Sequence, residues 1–402
     1  MLACIRCGLC LTSCPTYVLT LHEAEGPRGR VGMARALAEG NLQLTPDLVE
    51  HELNCLVCDA CSAVCPAGVH MDPLQVVLRS TLQAEARAKW KVRLLRAVVF
   101  AWLFMDMRRF RLFARLMRVY QRSGVQWAAR HLGVLKLLGL EDSERLLPDI
   151  SSRFVVPRGE TYPSDAAKPA AFFAGCIMST ALADIDRATI RVLQRSGFTI
   201  TNPQKQGCCG ALHAHGGDLP RALELAKRNV EAFEGAEGPI VVNSAGCGAM
   251  LKDYAHHLRN DSSWKARAQA FSERVRDLSE VVPADALPIE RPLDKRVVYQ
   301  DACHLLHAQR ISRQPRELLK RIPGVRLAEI DEAALCCGSA GVYNVTNPVQ
   351  SKQLQRRKLD RIAAVQPDLF VTENPGCLLQ LRSGTDTAVK HLAEVLDEAT
   401  AP

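Results

Sequence analysis

CIRCGLCLTSCP (residues 4–15) and CLVCDACSAVCP (residues 55–66) carry one pattern twice, C-x2-C-x2-C-x3-C-P. Two-residue gaps bring successive thiolates back onto neighbouring corners of one cubane, while the fourth cysteine is displaced too far to complete it and ligates the other cluster. The spacing therefore assigns one [4Fe-4S] cluster to Cys4, Cys7, Cys10 and Cys65, and a second to Cys14, Cys55, Cys58 and Cys61. Structural zinc would want four ligands per site without the third close thiol or the proline. Crossing the fourth ligands ties both motifs into one compact unit, and the 40 residues between them are expected to form a loop and helix packed on it.

Outward from these motifs, the 16 cysteines of the 402-residue chain fall into two equal sets: eight up to Cys65, none until Cys176, and eight from there to Cys377. No apolar signal region follows Met1. Thiols this numerous in an enzyme-sized chain then read as metal ligands and not as a secreted disulfide framework. Apolar residues at 48% and charged residues at 23% exclude disorder and low complexity, and the length allows two or three domains.

The second set is an internal duplication. Cys176, Cys208, Cys209 and Cys247 recur as Cys303, Cys336, Cys337 and Cys377 at offsets of 127, 128, 128 and 130, with QGCCGALHAHGG answering ALCCGSAGVYNV and VVNSAGCGAM answering VTENPGCLLQ. Short apolar runs (AAFFAGC, FTITNP, PIVVNSAGC, RVVYQDAC, VRLAEI, DLFVTENPGC) alternate with helical patterns, which implies parallel βαβ units. Loops at the carboxyl ends of parallel strands share one edge, so three cysteine-bearing segments of a repeat can converge there. Adjacent cysteines followed by glycine need an irregular turn to aim two thiolates at one centre. Such a set holds iron–sulfur in at least one repeat, or zinc, or serves as structural or redox thiols. His213, His215, His304 and His307 flank these cysteines as ligands, as proton relays to a quinone, or as hydrogen-bond donors that tune a potential.

The net charge of +8 is local: Arg87 to Arg130 holds twelve Lys/Arg against Asp106, leaving the rest of the chain at −3. Apolar residues there recur at helical spacing through Leu95, Val98, Val99, Trp102 and Leu103, and again through Phe110, Phe113, Leu116, Met117 and Tyr120, which predicts two amphipathic helices. The longest apolar run, Ala97 to Met105, is too short to span a bilayer. Three readings stand for this connector: lying on an anionic membrane, docking a partner subunit, or covering the rest of the protein. Nucleic-acid binding is not expected, since no recognition fold accompanies the charge. The expected fold class is α/β: a small α-helical bis-[4Fe-4S] ferredoxin-like module (1–86), a basic helical connector (87–150), a Pro/Ser-rich linker (151–168), then duplicated parallel βαβ repeats, CCG repeat 1 (169–292) and CCG repeat 2 (293–402). No GxSxG, Walker A or strand-linked GxGxxG motif occurs, so no catalytic residue is assigned and the chain is expected to carry electrons without binding a hydride donor.

The two-cluster module with CPTY (14–17) and GPRGR (26–30), followed by GCCGALHAH and LCCGSAGVYNV, resembles the iron–sulfur subunit of glycolate oxidase over essentially the whole chain. Single motifs are shared with anaerobic glycerol-3-phosphate dehydrogenase, lactate-utilisation proteins and heterodisulfide reductases, so a glycerol-3-phosphate or lactate system, or a thiol redox enzyme, is the alternative. The resemblance implies FAD-containing partner subunits that oxidise glycolate to glyoxylate, with this chain passing electrons to membrane quinone from the inner, cytoplasmic face of the membrane. It carries the cluster and CCG cysteines over onto the sixteen positions named above. Heterodisulfide reductases have a fifth cysteine where this chain has Met250 and Gln380, which argues against disulfide cleavage. The chain starts three residues before Cys4, which leaves room for a leading segment upstream of Met1.

Overall fold

The computed structural model describes residues 1–85, 94 and 97–402. Among the described residues nine strands form two sheets. β1 (Thr161–Tyr162), β2 (Lys168–Phe172), β3 (Phe198–Thr201), β4 (Ile240–Val242) and β5 (Val275–Asp277) lie in the order β1-β3-β2-β4-β5, with only β1 antiparallel. β6 (Lys295–Tyr299), β7 (Val325–Ala328), β8 (Leu369–Thr372) and β9 (Ala388–His391) lie in the order β7-β6-β8-β9, all parallel. Without β1 the two orders are the same, so the sequence duplication is a duplication of topology. β4 and β8 are buried along their whole length, as continuous apolar runs covered on both faces require.

The six apolar runs all form strands. β5 and β9 were not among them, although RVRDLSEVV and AVKHLAEVL repeat one another. Each leads into a helix through a capping box, Asp277 with Glu280 and His391 with Glu394. The duplicated units share one apolar core, and helix Ala183–Arg195 packs on helix Leu392–Thr400, where Arg191 and Arg195 both reach Asp397 at 2.9 Å.

Three expectations need correcting. The segment between the cysteine motifs holds three helices and not one, Pro15–Thr20, Pro27–Ala38 and Pro46–Leu53, each opened by a proline whose fixed φ suits a first turn. Residues 151–168 are not a free linker. Thr161 and Tyr162 pair with Thr201 and Ile200, and β2 already begins at Lys168; the polar composition hides backbone groups that find partners on a sheet edge. In the connector, Leu95 and the 86/87 boundary lie outside the described residues. Ala97–Leu103 is a π-helical turn, Met107–Arg122 an α-helix, and three short helices follow, Val125–His131, Val134–Leu137 and Glu141–Arg145. Of the predicted stripe, Phe110 is buried, whereas Phe113 and Leu116 are exposed. The buried side is narrower because it covers one spot, where Leu103 and Phe110 pack on Cys176, Cys208 and Leu225. Among the described residues no helix is long and apolar enough to cross a membrane.

Candidate metal centres

In the N-terminal module the structure brings Cys65 to the first motif and Cys14 to the second. Burial raises the Cys10 thiol, and Cys4, Cys65 and Cys7 beside it add to the rise. Cys14, Cys55, Cys58 and Cys61 line one small cavity of about 20 Å³ with Arg30. Burial likewise raises Cys61, and Cys55 and then Cys14 add to the rise. The first group reaches the surface at Cys7, and the second is mostly enclosed.

Arg30 is the residue that sequence reasoning missed. It belongs to the GPRGR stretch, where it carried no assigned role, yet its side chain is only 1% exposed. Its guanidinium donates to Glu25 Oε2 at 2.8 Å, to the His51 carbonyl at 2.9 Å and to Thr16 Oγ1 at 3.1 Å, and lies 4.0 Å from Cys14 Sγ. Burial works against this cation, but Cys55 and Cys14 hold its pKa up. A buried positive charge against two thiols favours an electron-rich centre there.

The eight cysteines of the two repeats line a single cavity of about 150 Å³, each following the carboxyl end of a strand. In repeat 1, Cys176 and Cys208 stand 3.7 Å apart, and Cys209 and Cys247 3.2 Å. The Cys208 thiol is held well below its ordinary range, first by Cys176 and then by Cys209. In repeat 2, Cys303 and Cys337 are held down, first by hydrogen bonding with Cys336. Gly210 and Gly338, which follow the two CC pairs, have φ of +86° and +88° and back onto Ala222 of helix Leu219–Phe233 and Ser351 of helix Pro348–Ala363, so a side chain there would be strained in backbone conformation and crowded, more so at Gly338. Cys303 and Cys336 also pack with Cys58, which joins the repeat 2 thiols to the ferredoxin-like module.

The four histidines separate. His215 and His304 line the cavity and stack on each other, with ring centres 5.4 Å apart. His304 Nδ1 is 3.6 Å from Cys303 Sγ, and although burial opposes its charge, Cys303 keeps its pKa at about 9. His213 is fully buried behind Cys208, with Nε2 2.9 Å from the Phe100 carbonyl, so it ties the connector to repeat 1. His307 turns to the Ala334 carbonyl at 3.0 Å and does not line the cavity. A second missed residue is Lys358, 1% exposed, whose Nζ donates to the carbonyls of Glu332 and Ala333. Its place between Leu354 and Ile362 on a buried helix face was the available signal.

These donors fit iron–sulfur clusters: thiols in fours, mostly withdrawn from solvent, with Arg30 and Lys358 buried beside them. The comparisons agree. A "4Fe-4S dicluster domain" model matches residues 3–69, a "Cysteine-rich domain" (CCG) model matches 170–252 and 297–382, and the "Glycolate oxidase iron-sulfur subunit, linker region" model matches 91–147. The chain is 39% identical to the "Probable glycolate oxidase iron-sulfur subunit" of Bacillus subtilis, covering 99% of this chain and 94% of that one. It is 31% identical to the "Glycolate oxidase iron-sulfur subunit" of Escherichia coli, over 99% and 93%. "Lactate utilization protein A" of Geobacillus is 30% identical over 56% of this chain and 97% of its own. The chain is therefore an iron–sulfur protein, and it belongs to the family of glycolate oxidase iron–sulfur subunits.

Proposed function

We propose that the chain is the electron-carrying subunit of a glycolate-oxidising complex, in which FAD-containing partner subunits turn glycolate into glyoxylate and this chain relays the electrons toward membrane quinone. One observation carries the reading. The cysteine groups are contiguous, because Cys58 of the module packs with Cys303 and Cys336, which line the cavity shared by both repeats. When bound, iron–sulfur clusters accept and release single electrons. We assign them to Cys4, Cys7, Cys10 and Cys65 and to Cys14, Cys55, Cys58 and Cys61, with the eight CCG cysteines as a further metal-binding set. The chain's own residues do the rest. Leu2, Ile5 and Leu9, all exposed, stand close to exposed Cys7 in the sequence and suit contact with an electron donor, while Arg30 and Lys358 place positive charge by buried thiols.

The connector's outer face supports peripheral attachment to the inner face of the membrane. Leu112, Phe113, Leu116 and Val119 stand exposed among Arg108, Arg109 and Arg115, the composition of a helix lying in an anionic interface. The test is EPR on the anaerobic, natively co-purified complex, with dithionite as the control. Glycolate should bring up cluster signals; dithionite reduction without a glycolate response would move the assignment to another flavoprotein donor.

A further inference from the structure

Outside the cysteine groups, one cluster of ligating side chains stands where the ferredoxin-like module meets repeat 1. Asp72 lies in the first turn of helix Met71–Glu85, and Asp253 and His257 sit one turn apart at helix Tyr254–His257. One carboxylate oxygen of each aspartate and one imidazole nitrogen of His257 all lie within 4.8 Å of one another. The groups are half-buried, not solvent-facing. Asp72 Oδ1 and His257 Nε2 are enclosed atoms without a hydrogen-bond partner, and Asp72 Oδ1 meets His215 Nε2 as an ion-pair contact at 3.4 Å. The Asp253 carboxylate has no hydrogen bond or ion pair among the described residues.

We infer that Asp72, Asp253 and His257 bind a divalent first-row metal ion that clips the ferredoxin-like module to repeat 1. Two carboxylates converging in a poorly hydrated junction repel each other, and a dication removes that repulsion while meeting the idle lone pair of His257. Two oxygens and one imidazole nitrogen, with no thiolate, suit zinc or a similar ion and leave a coordination position for water. The site sits beside His215, so the clip would hold the wall of the cysteine cavity against the module.

The experiment uses the full-length protein, purified anaerobically with its iron in place, loaded with zinc and washed. Metal analysis should find about one zinc per chain, and the zinc K-edge spectrum should show nitrogen and oxygen neighbours at about 2.0–2.2 Å with no sulfur shell. The Asp253→Asn, His257→Gln double variant should lose that zinc and keep wild-type iron. A sulfur shell at about 2.3 Å, which places the ion on cysteines, overturns the proposal, as does wild-type protein that retains no zinc. Zinc that survives in the double variant overturns the proposal as well; if that variant fails to fold, Asp72→Asn, on the module side of the site, takes its place, and neither readout depends on the electron donor.

Discussion

The two repeats share a topology and four cysteine positions, but they differ in what they bury behind those cysteines. At the helix position facing the CC turn, repeat 1 has Asn229, which donates to the Cys208 carbonyl at 2.9 Å, and repeat 2 has Lys358. Four residues before the last cysteine, repeat 1 has Asn243, bound to Asp186 and Thr189, and repeat 2 has Glu373, bound to Tyr299. After the first cysteine stands Ile177 in one and His304 in the other. At these three positions repeat 1 has neutral side chains and repeat 2 ionisable ones, and among the described residues Cys58 of the module packs with the thiols of repeat 2. Duplication has left one copy with ionisable groups at these positions facing the module, and the other with neutral ones there and His213 behind Cys208.

The strongest way to break this comparison is to remove one thiol from each copy. Cys337→Ser is expected to lose a whole metal centre, about four irons per chain if that centre is a cubane, with loss of glycolate-driven quinone reduction, while Cys209→Ser retains more of both. Equal losses in iron assay and turnover would mean that the eight cysteines act as one site. Next comes Lys358→Met, which removes the buried cation and strands the Glu332 and Ala333 carbonyls; a cost of about 1–3 kcal/mol and about 10–100-fold weaker metal retention against a chelator are expected. Asn229→Leu should affect folding more than metal retention.

The CC turns give a smaller contrast. A Cβ at Gly338 would lie 2.6 Å from the Ser351 carbonyl, but one at Gly210 would lie 3.2 Å from that of Ala222. Both alanine variants force a left-handed residue, at about 1–3 kcal/mol, and Gly338→Ala should unfold at the lower denaturant concentration. The smallest effect at neutral pH belongs to Glu373→Gln, about 1 kcal/mol or less. Burial and then Asp277 raise the Glu373 pKa well above 4.5, so the folded protein keeps a proton that the unfolded chain releases. Stability from this group is present at low pH and falls as pH climbs from 4.5 toward the raised value. Urea midpoints across pH should therefore slope less in the variant; an unchanged slope would count against a Glu373 carboxyl that is buried in its protonated form.

Much of this was legible because it is local. Cluster spacing, the duplicated cysteines and six strands all lie within short windows, where period and spacing decide. β5 and β9 escaped because three- and four-residue strands that include Arg276 or Lys390 carry little apolar signal of their own. Arg30, Lys358 and Asp72 escaped for another reason: their partners lie far along the chain or on backbone carbonyls, which no window contains. The sequence showed four cysteines per repeat but not that the two sets face one cavity, since that depends on how the repeats dock.

The packing of Cys58 against Cys303 and Cys336 also constrains biogenesis. The ribosome releases the ferredoxin-like module first, but one wall of its second cysteine group comes from the last hundred residues of the chain. Those early thiols remain uncovered for most of translation, so cofactor insertion and protection from oxygen have to be matched to the slow arrival of the C-terminal half.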